Sequence, residues 1–174
     1  FHYNNYHPLL LGLILERATG TSVAHYLQEK IWKPIGMEYT GSWSLDENGF
    51  EKMESGINAR AIDFAKFGRL FLHRGNWNGA QMIPAEWVAE STRADTSIDY
   101  ANYYYDDFIF ANGQGYYKYM WWGIQRDEQN YDFIALGNHG QFIYISPQKN
   151  LIILRFGESY GDFGGAQGWL ALFY

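Results

Sequence analysis

The hydrophobic pattern of this 174-residue chain changes period once, and that change constrains the fold more than any other feature. Residues 1–94 carry apolar side chains mainly at helical spacing, whereas residues 116–174 carry them in short blocks and alternations of strand length. Residues 8–18 predict a first helix, with Pro8 in its opening turn and Gly20 just past its end. Its expected apolar face is Leu9, Leu10, Leu13, Ile14 and Leu15, with Glu16 and Arg17 turned outward. Thr21 or Ser22 can cap a second helix running to Trp32, ended by Pro34 and Gly36. Residues 38–57 read as a loop with short strands, 59–73 as a third helix, 75–79 as turns and 84–91 as a short fourth helix. After an irregular, aromatic stretch at 95–115, residues 119–125, 131–136, 141–146 and 151–156 read as strands. Ser146-Pro147-Gln148-Lys149-Asn150 joins the last two as a hairpin. Helices first and an antiparallel meander second predict an α+β fold, an antiparallel sheet flanked by helices, within one domain over 1–174.

Composition excludes several classes of function. The net charge of −6 repels phosphate backbones, so nucleic acid is not an expected partner. The chain has no cysteine, which removes disulfides, thiolate zinc sites and a cysteine nucleophile. No apolar run approaches the length, about 20 residues, that spans a bilayer, so no membrane segment is expected in this chain. Seven Trp and fifteen Tyr exceed what a core of this size needs, and some are expected to line a cleft.

Two clusters carry possible chemistry. Tyr3-Asn4-Asn5 stands directly before the first helix. A phenol there can relay a proton, provided a neighbouring cation lowers its usual pKa of about 10. A carboxamide beside it can orient an amine or a substrate amide. The same residues also suit a plain helix cap with a half-buried Tyr. Gly137-Asn138-His139-Gly140-Gln141 lies between two strands. Glycines there let backbone approach a ligand, and the N–H of the following strand residue can form half of an oxyanion hole. The alternative is a tight turn with an incidental His. Metal motifs are weak: none of the five histidines has His-Glu-x-x-His spacing, and Asp46-Glu47-Asn48-Gly49 reads as a turn rather than a calcium loop. Ser146-Pro147-Gln148-Lys149 matches Ser-x-x-Lys in letters only. The nucleophilic form needs its Ser at a helix start so that Lys lies one turn on, and Pro147 here leads a hairpin.

Four stretches in order, HYNNYHPLLLGLILERATG, INARAIDFAKFGRLFLHRGNWNGAQMIPAEWV, YMWWGIQ and ALGNHGQFIYISPQKNLIILRFG, span nearly the whole chain. Together they resemble the serine hydrolases that include class C β-lactamases, penicillin-binding DD-peptidases and related esterases and amide hydrolases. The Trp-Trp-Gly and Gly-Gln-x-Ile-Tyr stretches are most similar to the branch of 6-aminohexanoate-dimer hydrolases. The resemblance implies a β-lactamase/transpeptidase-like fold, incomplete here because the N-terminal part that carries Ser-x-x-Lys is absent. It implies that Tyr3 and Asn5 form the family's Tyr-x-Asn motif, Tyr3 as proton carrier and Asn5 as a positioning group for Lys and substrate. Asn138, His139 and Gly140 fall where the family has Lys-Thr-Gly or His-x-Gly, with Asn in the first place and His one place later. The Gln141 N–H becomes one oxyanion donor. Trp121, Trp122 and the tyrosines at 103–105 become candidates for a substrate wall.

The implied reaction is acyl transfer to water through an acyl-enzyme on a small amide, ester, peptide-like or β-lactam carbonyl, with no cofactor and no metal. The implied setting is periplasmic or secreted. The chain is expected to be inert alone and to need the N-terminal segment of the same protein, both for the nucleophile and to cover apolar surface. A competing reading is a penicillin-binding-like module that keeps the cleft without the chemistry; an upstream Ser-x-x-Lys discriminates. A third, an aromatic carbohydrate-binding module, sits poorly with four helices ahead of the strands.

Overall fold

The computed structural model describes residues 3–100, 114–162 and 165–172. Contacts gather into two units, His2–Lys66 and Phe67–Tyr174, with the boundary falling inside a helix.

In the first unit, helix α1 (Tyr6–Thr19) is closed by Gly20 in the left-handed conformation, its N–H donating to the Glu16 carbonyl. Ser22 caps α2 (Val23–Leu27) by accepting from the His25 N–H, and the chain continues as a π-helical turn over Gln28–Trp32. The expected second helix is therefore a composite. A two-residue ladder, β1 (Ser42–Trp43) with β2 (Ile57–Asn58), precedes α3 (Ala61–Leu72). Asp63, fully buried in the first turn of α3, accepts from the Glu38 and Tyr39 N–H groups at 2.6 and 3.2 Å and ties down the preceding loop.

The apolar face expected on α1 is corrected by the structure. Gly12 is the buried position, and a Cβ there would lie 2.5 Å from Met53 Cγ. Pro8, Leu9, Leu15 and Glu16, one turn either side, are half-buried, whereas Leu10, Leu11, Leu13 and Ile14 are exposed. A helix apolar on most of its circumference does not announce which side packs, and the close approach that only glycine allows selects it.

In the second unit, β3 (Asn76–Trp77) and β4 (Ala80–Gln81) form a hairpin where turns were expected, followed by α4 (Ala85–Thr92). Five antiparallel strands then lie side by side in chain order: β5 (Gly115–Lys118), β6 (Trp121–Gln125), β7 (Tyr131–Gly137), β8 (Gln141–Ser146) and β9 (Leu151–Arg155). Strand β5 was not expected. The run read as 119–125 is broken by Tyr119 and Met120, both at positive φ, which make the β5–β6 turn. The register places Trp122, Ile134, Tyr144 and Ile153 in one row across the sheet, on the face that also carries the buried Ile124. The opposite row, Gly123, Phe133, Ile145 and Ile152, faces the end of α3, where Gly68 lets the backbone approach Ile143 and Ile152. Helix α4 is joined to the edge strand by Tyr116 Oη donating to the Thr92 carbonyl at 2.6 Å and by the Lys118–Glu90 ion pair at 2.8 Å. A short helix, α5 (Ala166–Ala171), ends the described chain. The arrangement is an antiparallel sheet with helices, the α+β class expected.

Candidate active site

The two predicted halves of the site fall in different units, and each has its own local geometry. At the start of α1 the capping work is done by Asn4: its Oδ1 accepts from the Tyr6 N–H at 2.7 Å, and its carbonyl accepts from His7 N–H at 3.4 Å. Asn5 has helical backbone angles and makes no side-chain capping bond. The cap and the Tyr-x-Asn candidate are thus separate residues. Asn5 is exposed and Tyr3 is 42% exposed, both at the open end of the helix.

The second half is the link between β7 and β8. Asn138, His139 and Gly140 form a single 3-10 turn, closed by the Gln141 N–H donating to the Asn138 carbonyl. His139 (φ 61°) and Gly140 (φ 79°) are consecutive left-handed residues. Asn138 and His139 are exposed, while Gly140 is buried. The turn is held from below by Arg155 at the end of β9. Its Nη1 donates to the His139 carbonyl at 3.0 Å and to the Gly140 carbonyl at 2.7 Å, and its Nη2 donates to the Ser159 carbonyl at 2.7 Å. The guanidinium lies 4.4 Å from the ring centre of Trp169 in α5, whose Nε1 donates to the Tyr160 carbonyl. Beside it the Gln141 carboxamide clasps Gly157, donating to its carbonyl and accepting from its N–H.

The remaining candidates separate by burial. Trp121 is 7% exposed and packed against Phe67, Phe71 and Phe133, so the structure makes it a core residue rather than a substrate wall. Trp122 is half-buried with its ring edge-on to Tyr117. The tyrosines at 103–105 lie outside the described residues. Ser146 is on β8 with its hydroxyl buried, and Pro147–Asn150 is a turn, so no helix puts Lys149 one turn beyond that Ser. Gly157-Glu158-Ser159-Tyr160-Gly161 spells Gly-x-Ser-x-Gly, a match the sequence reading passed over. A nucleophile elbow needs a strand, a strained Ser and an immediate helix. Here Ser159 is not at positive φ, its Oγ accepts from the Gly161 N–H, and among the described residues the next helix is Ala166–Ala171.

Two open concavities among the described residues stand out, and neither includes a predicted site residue. One of about 740 Å³ is bordered by Arg93, Asp95, Tyr100, Lys118 and Glu128. The other, of about 520 Å³, is bordered by His25, Trp32, Tyr39 and Trp43. Among the described residues no three His, Asp or Glu side chains cluster closely enough to hold a metal, and no helix is long and apolar enough to cross a membrane.

Sequence reasoning missed Arg155 and Gly157. The available signal was an Arg at the end of the apolar strand Leu151–Arg155, opposite Phe142 in the ladder, where a cation needs a partner.

Comparison with known proteins bears on the family and the fold. A family model described as Beta-lactamase matches residues 1–167. The chain is 26% identical, over 89% of its length, to 6-aminohexanoate-dimer hydrolase of Paenarthrobacter ureafaciens, and spans 38% of that protein. It superposes on a candidate 6-aminohexanoate-dimer hydrolase of Bacillus anthracis with a TM-score of 0.81 and 30% identity, over 99% of this chain and 41% of the other. A candidate beta-lactamase of Bacteroides dorei shares the fold at a TM-score of 0.66 and 16% identity, over 97% of this chain and 54% of the other. The chain thus spans about two fifths of the length of its hydrolase relatives.

Proposed function

The chain belongs to the beta-lactamase family, and from that membership we propose that it supplies one part of the active site of a serine hydrolase acting through an acyl-enzyme. The relatives named 6-aminohexanoate-dimer hydrolase support a small linear amide or ester as substrate. In this reading the nucleophilic Ser and its Lys come from a Ser-x-x-Lys motif outside these 174 residues. The Ser oxygen adds to the substrate carbonyl carbon while its proton passes to the Lys and Tyr3. The developing oxyanion is held by the Gln141 N–H and the N–H of the nucleophile. Collapse expels the amine or alcohol, which takes its proton from Tyr3. Water then adds to the acyl-enzyme with Tyr3 as base, releasing the acid and restoring the Ser. Asn5 orients the Lys and the substrate, and Asn138, His139 and Trp122 flank the incoming group.

The observation that carries this reading is the division of labour at the start of α1. Asn4 satisfies the helix end, so Asn5, which makes no side-chain capping bond, is not needed for the cap that would otherwise explain it. The remainder of the protein is also proposed to cover the exposed leucines of α1.

The test is steady-state hydrolysis of p-nitrophenyl acetate and of 6-aminohexanoate dimer by the full-length protein and its Tyr3→Phe variant. The expected result is turnover that falls by about 10² to 10⁴-fold in the variant, with none from the 174-residue chain alone. Tight binding of a substrate analogue by the full-length protein without any turnover would favour the non-catalytic binding module instead.

A further inference from the structure

We propose that the hollow bordered by Trp32, Tyr39 and Trp43 is a second binding site, one that takes an uncharged sugar ring. It lies wholly within the first unit, walled by the composite helix and the β1–β2 ladder, and Tyr3 and Asn5 are not on its border. The inference is independent of the hydrolase reading, because a fold does not limit a chain to one site. At about 520 Å³ the hollow falls within the range, roughly 300–1,000 Å³, of small-ligand pockets.

The argument starts from the indole nitrogens. Trp32 Nε1 donates to the Tyr39 carbonyl at 3.0 Å, and Trp43 Nε1 donates to the Lys52 and Ser55 carbonyls, each at 2.9 Å. Both polar edges are thus spent on backbone, and what each ring has left to offer a ligand is a flat apolar surface. Both Trp side chains are only half-buried, and Tyr39 is 50% exposed. The rings are also held in place. Gly41 lets Trp32 lie against the backbone, since a Cβ there would be 3.0 Å from the ring. Tyr39 is pinned by its N–H on Asp63 Oδ2, by its carbonyl on Trp32, and by the Arg60 guanidinium 5.2 Å from its ring centre. A wall fixed before contact loses little entropy on binding.

Charge selects among flat ligands. Lys33 and Glu38 on the border are already paired, Lys33 Nζ with Glu29 at 2.5 Å and Glu38 with Lys66 at 2.9 Å. The border therefore offers a phosphate or carboxylate no uncompensated Lys or Arg, and an ionised ligand would give up hydration without return. The hydroxyls of Thr40 and Ser42 and the His25 ring border the same hollow and, among the described residues, make no side-chain hydrogen bond. Flat apolar walls beside two hydroxyls and an imidazole match a ligand that is apolar on its faces and hydroxylated around its edge. A pyranose chair has that form: axial C–H groups on its faces and hydroxyls at its rim. A plain aromatic ring would use the walls alone.

The test is titration of the full-length protein with cellotriose and chitotriose, both uncharged, and with trigalacturonate as the charged counterpart, followed by tryptophan fluorescence and by saturation-transfer NMR of the sugar protons. The expected result is saturable binding of a neutral trimer at millimolar concentration, with saturation reaching the C–H protons of its ring faces, and no binding of trigalacturonate. Tyr39→Ala should weaken binding by about 2- to 10-fold, as loss of one ring contact implies, and Ser42→Ala should weaken it as well. Trp87→Ala removes a comparably exposed aromatic, 49% exposed, outside the hollow and should change nothing. Should Tyr39→Ala fail to fold, Ser42→Ala reads the same site from its polar side. Retention on cellulose or chitin particles together with trimer binding makes the ligand a polymer chain, and trimer binding alone makes it a free oligosaccharide; both support the proposal. It is overturned by absence of saturable binding of both neutral trimers, by equal weakening in Trp87→Ala, by trigalacturonate binding as well as they do, or by indole binding more tightly than either sugar. Presence or absence of p-nitrophenyl acetate turnover decides the hydrolase reading separately, so either reading can fail while the other stands.

Discussion

Neighbouring residues at the start of the chain carry opposite assignments, and substitution separates them. Asn4 closes the helix end, so Asn4→Ala should lower stability by about 1 kcal/mol, read as a fall in the thermal midpoint, while turnover by the full-length protein persists. Asn5 makes no capping bond, so Asn5→Ala should leave the thermal midpoint in place and lower kcat. The reverse pattern would make Tyr3-Asn4-Asn5 a cap and nothing more. Gly140 gives a second residue-scale test. An Ala there combines a left-handed backbone with a Cβ 2.4 Å from the Arg155 nitrogen. The backbone alone costs about 1–2 kcal/mol, and displacing Arg155 frees the turn that carries Asn138 and His139, so activity should fall as well, whereas Gly161→Ala, left-handed but with nothing nearby, should cost stability only.

Among the elements, the central sheet depends on one buried polar group of three. Asp132 on β7, Tyr144 on β8 and Arg126 just after β6 meet with Arg126 Nε 2.6 Å from Asp132 Oδ2, Arg126 Nη2 2.9 Å from Tyr144 Oη, and Tyr144 Oη 2.5 Å from Asp132 Oδ2. Both Asp132 and Tyr144 are 1% exposed. Arg126→Met leaves that carboxylate without its cation and should cost about 3 kcal/mol, measured by urea unfolding. The phenols of Tyr116 and Tyr144 are both pushed above the ordinary tyrosine value, first by burial, with the Asp132 carboxylate adding to it. An acid whose pKa is higher folded than unfolded stays protonated in the fold while the unfolded chain ionises. Stability is therefore complete below about pH 10 and falls as pH rises beyond it. Urea midpoints that stay level from pH 9 to pH 11 would contradict this. Tyr144→Phe should flatten the alkaline slope.

For the whole molecule the telling feature is the uncovered side of α1. Leu10, Leu11, Leu13 and Ile14 are each more than two fifths exposed, and a contiguous apolar patch on a soluble surface marks an interaction site. The chain spans only about two fifths of its hydrolase relatives, so the proposed cover is the rest of the protein. The double substitution Leu10→Asp and Ile14→Asp should reduce dye binding and self-association of the 174-residue chain, yet destabilise the full-length protein. Equal stability of the full-length protein with and without the substitutions would mean that this side faces water there too.

What the amino-acid order settled by itself was the class and sequence of elements. The change of period predicted helices before strands, and Gly20, Ser22 and the Pro147–Asn150 turn marked boundaries that the fold uses. Local conformational preference and alternation act over a few residues, so one chain segment suffices to read them. Which side of α1 packs, whether Trp121 is core or wall, and that Arg155 reaches back to the β7–β8 turn were decided only by tertiary structure. Each depends on groups distant in the chain meeting at van der Waals or hydrogen-bond range. A helix rich in leucine on several sides, a Trp in a strand and an Arg closing another strand each fit more than one environment until the neighbouring surface chooses.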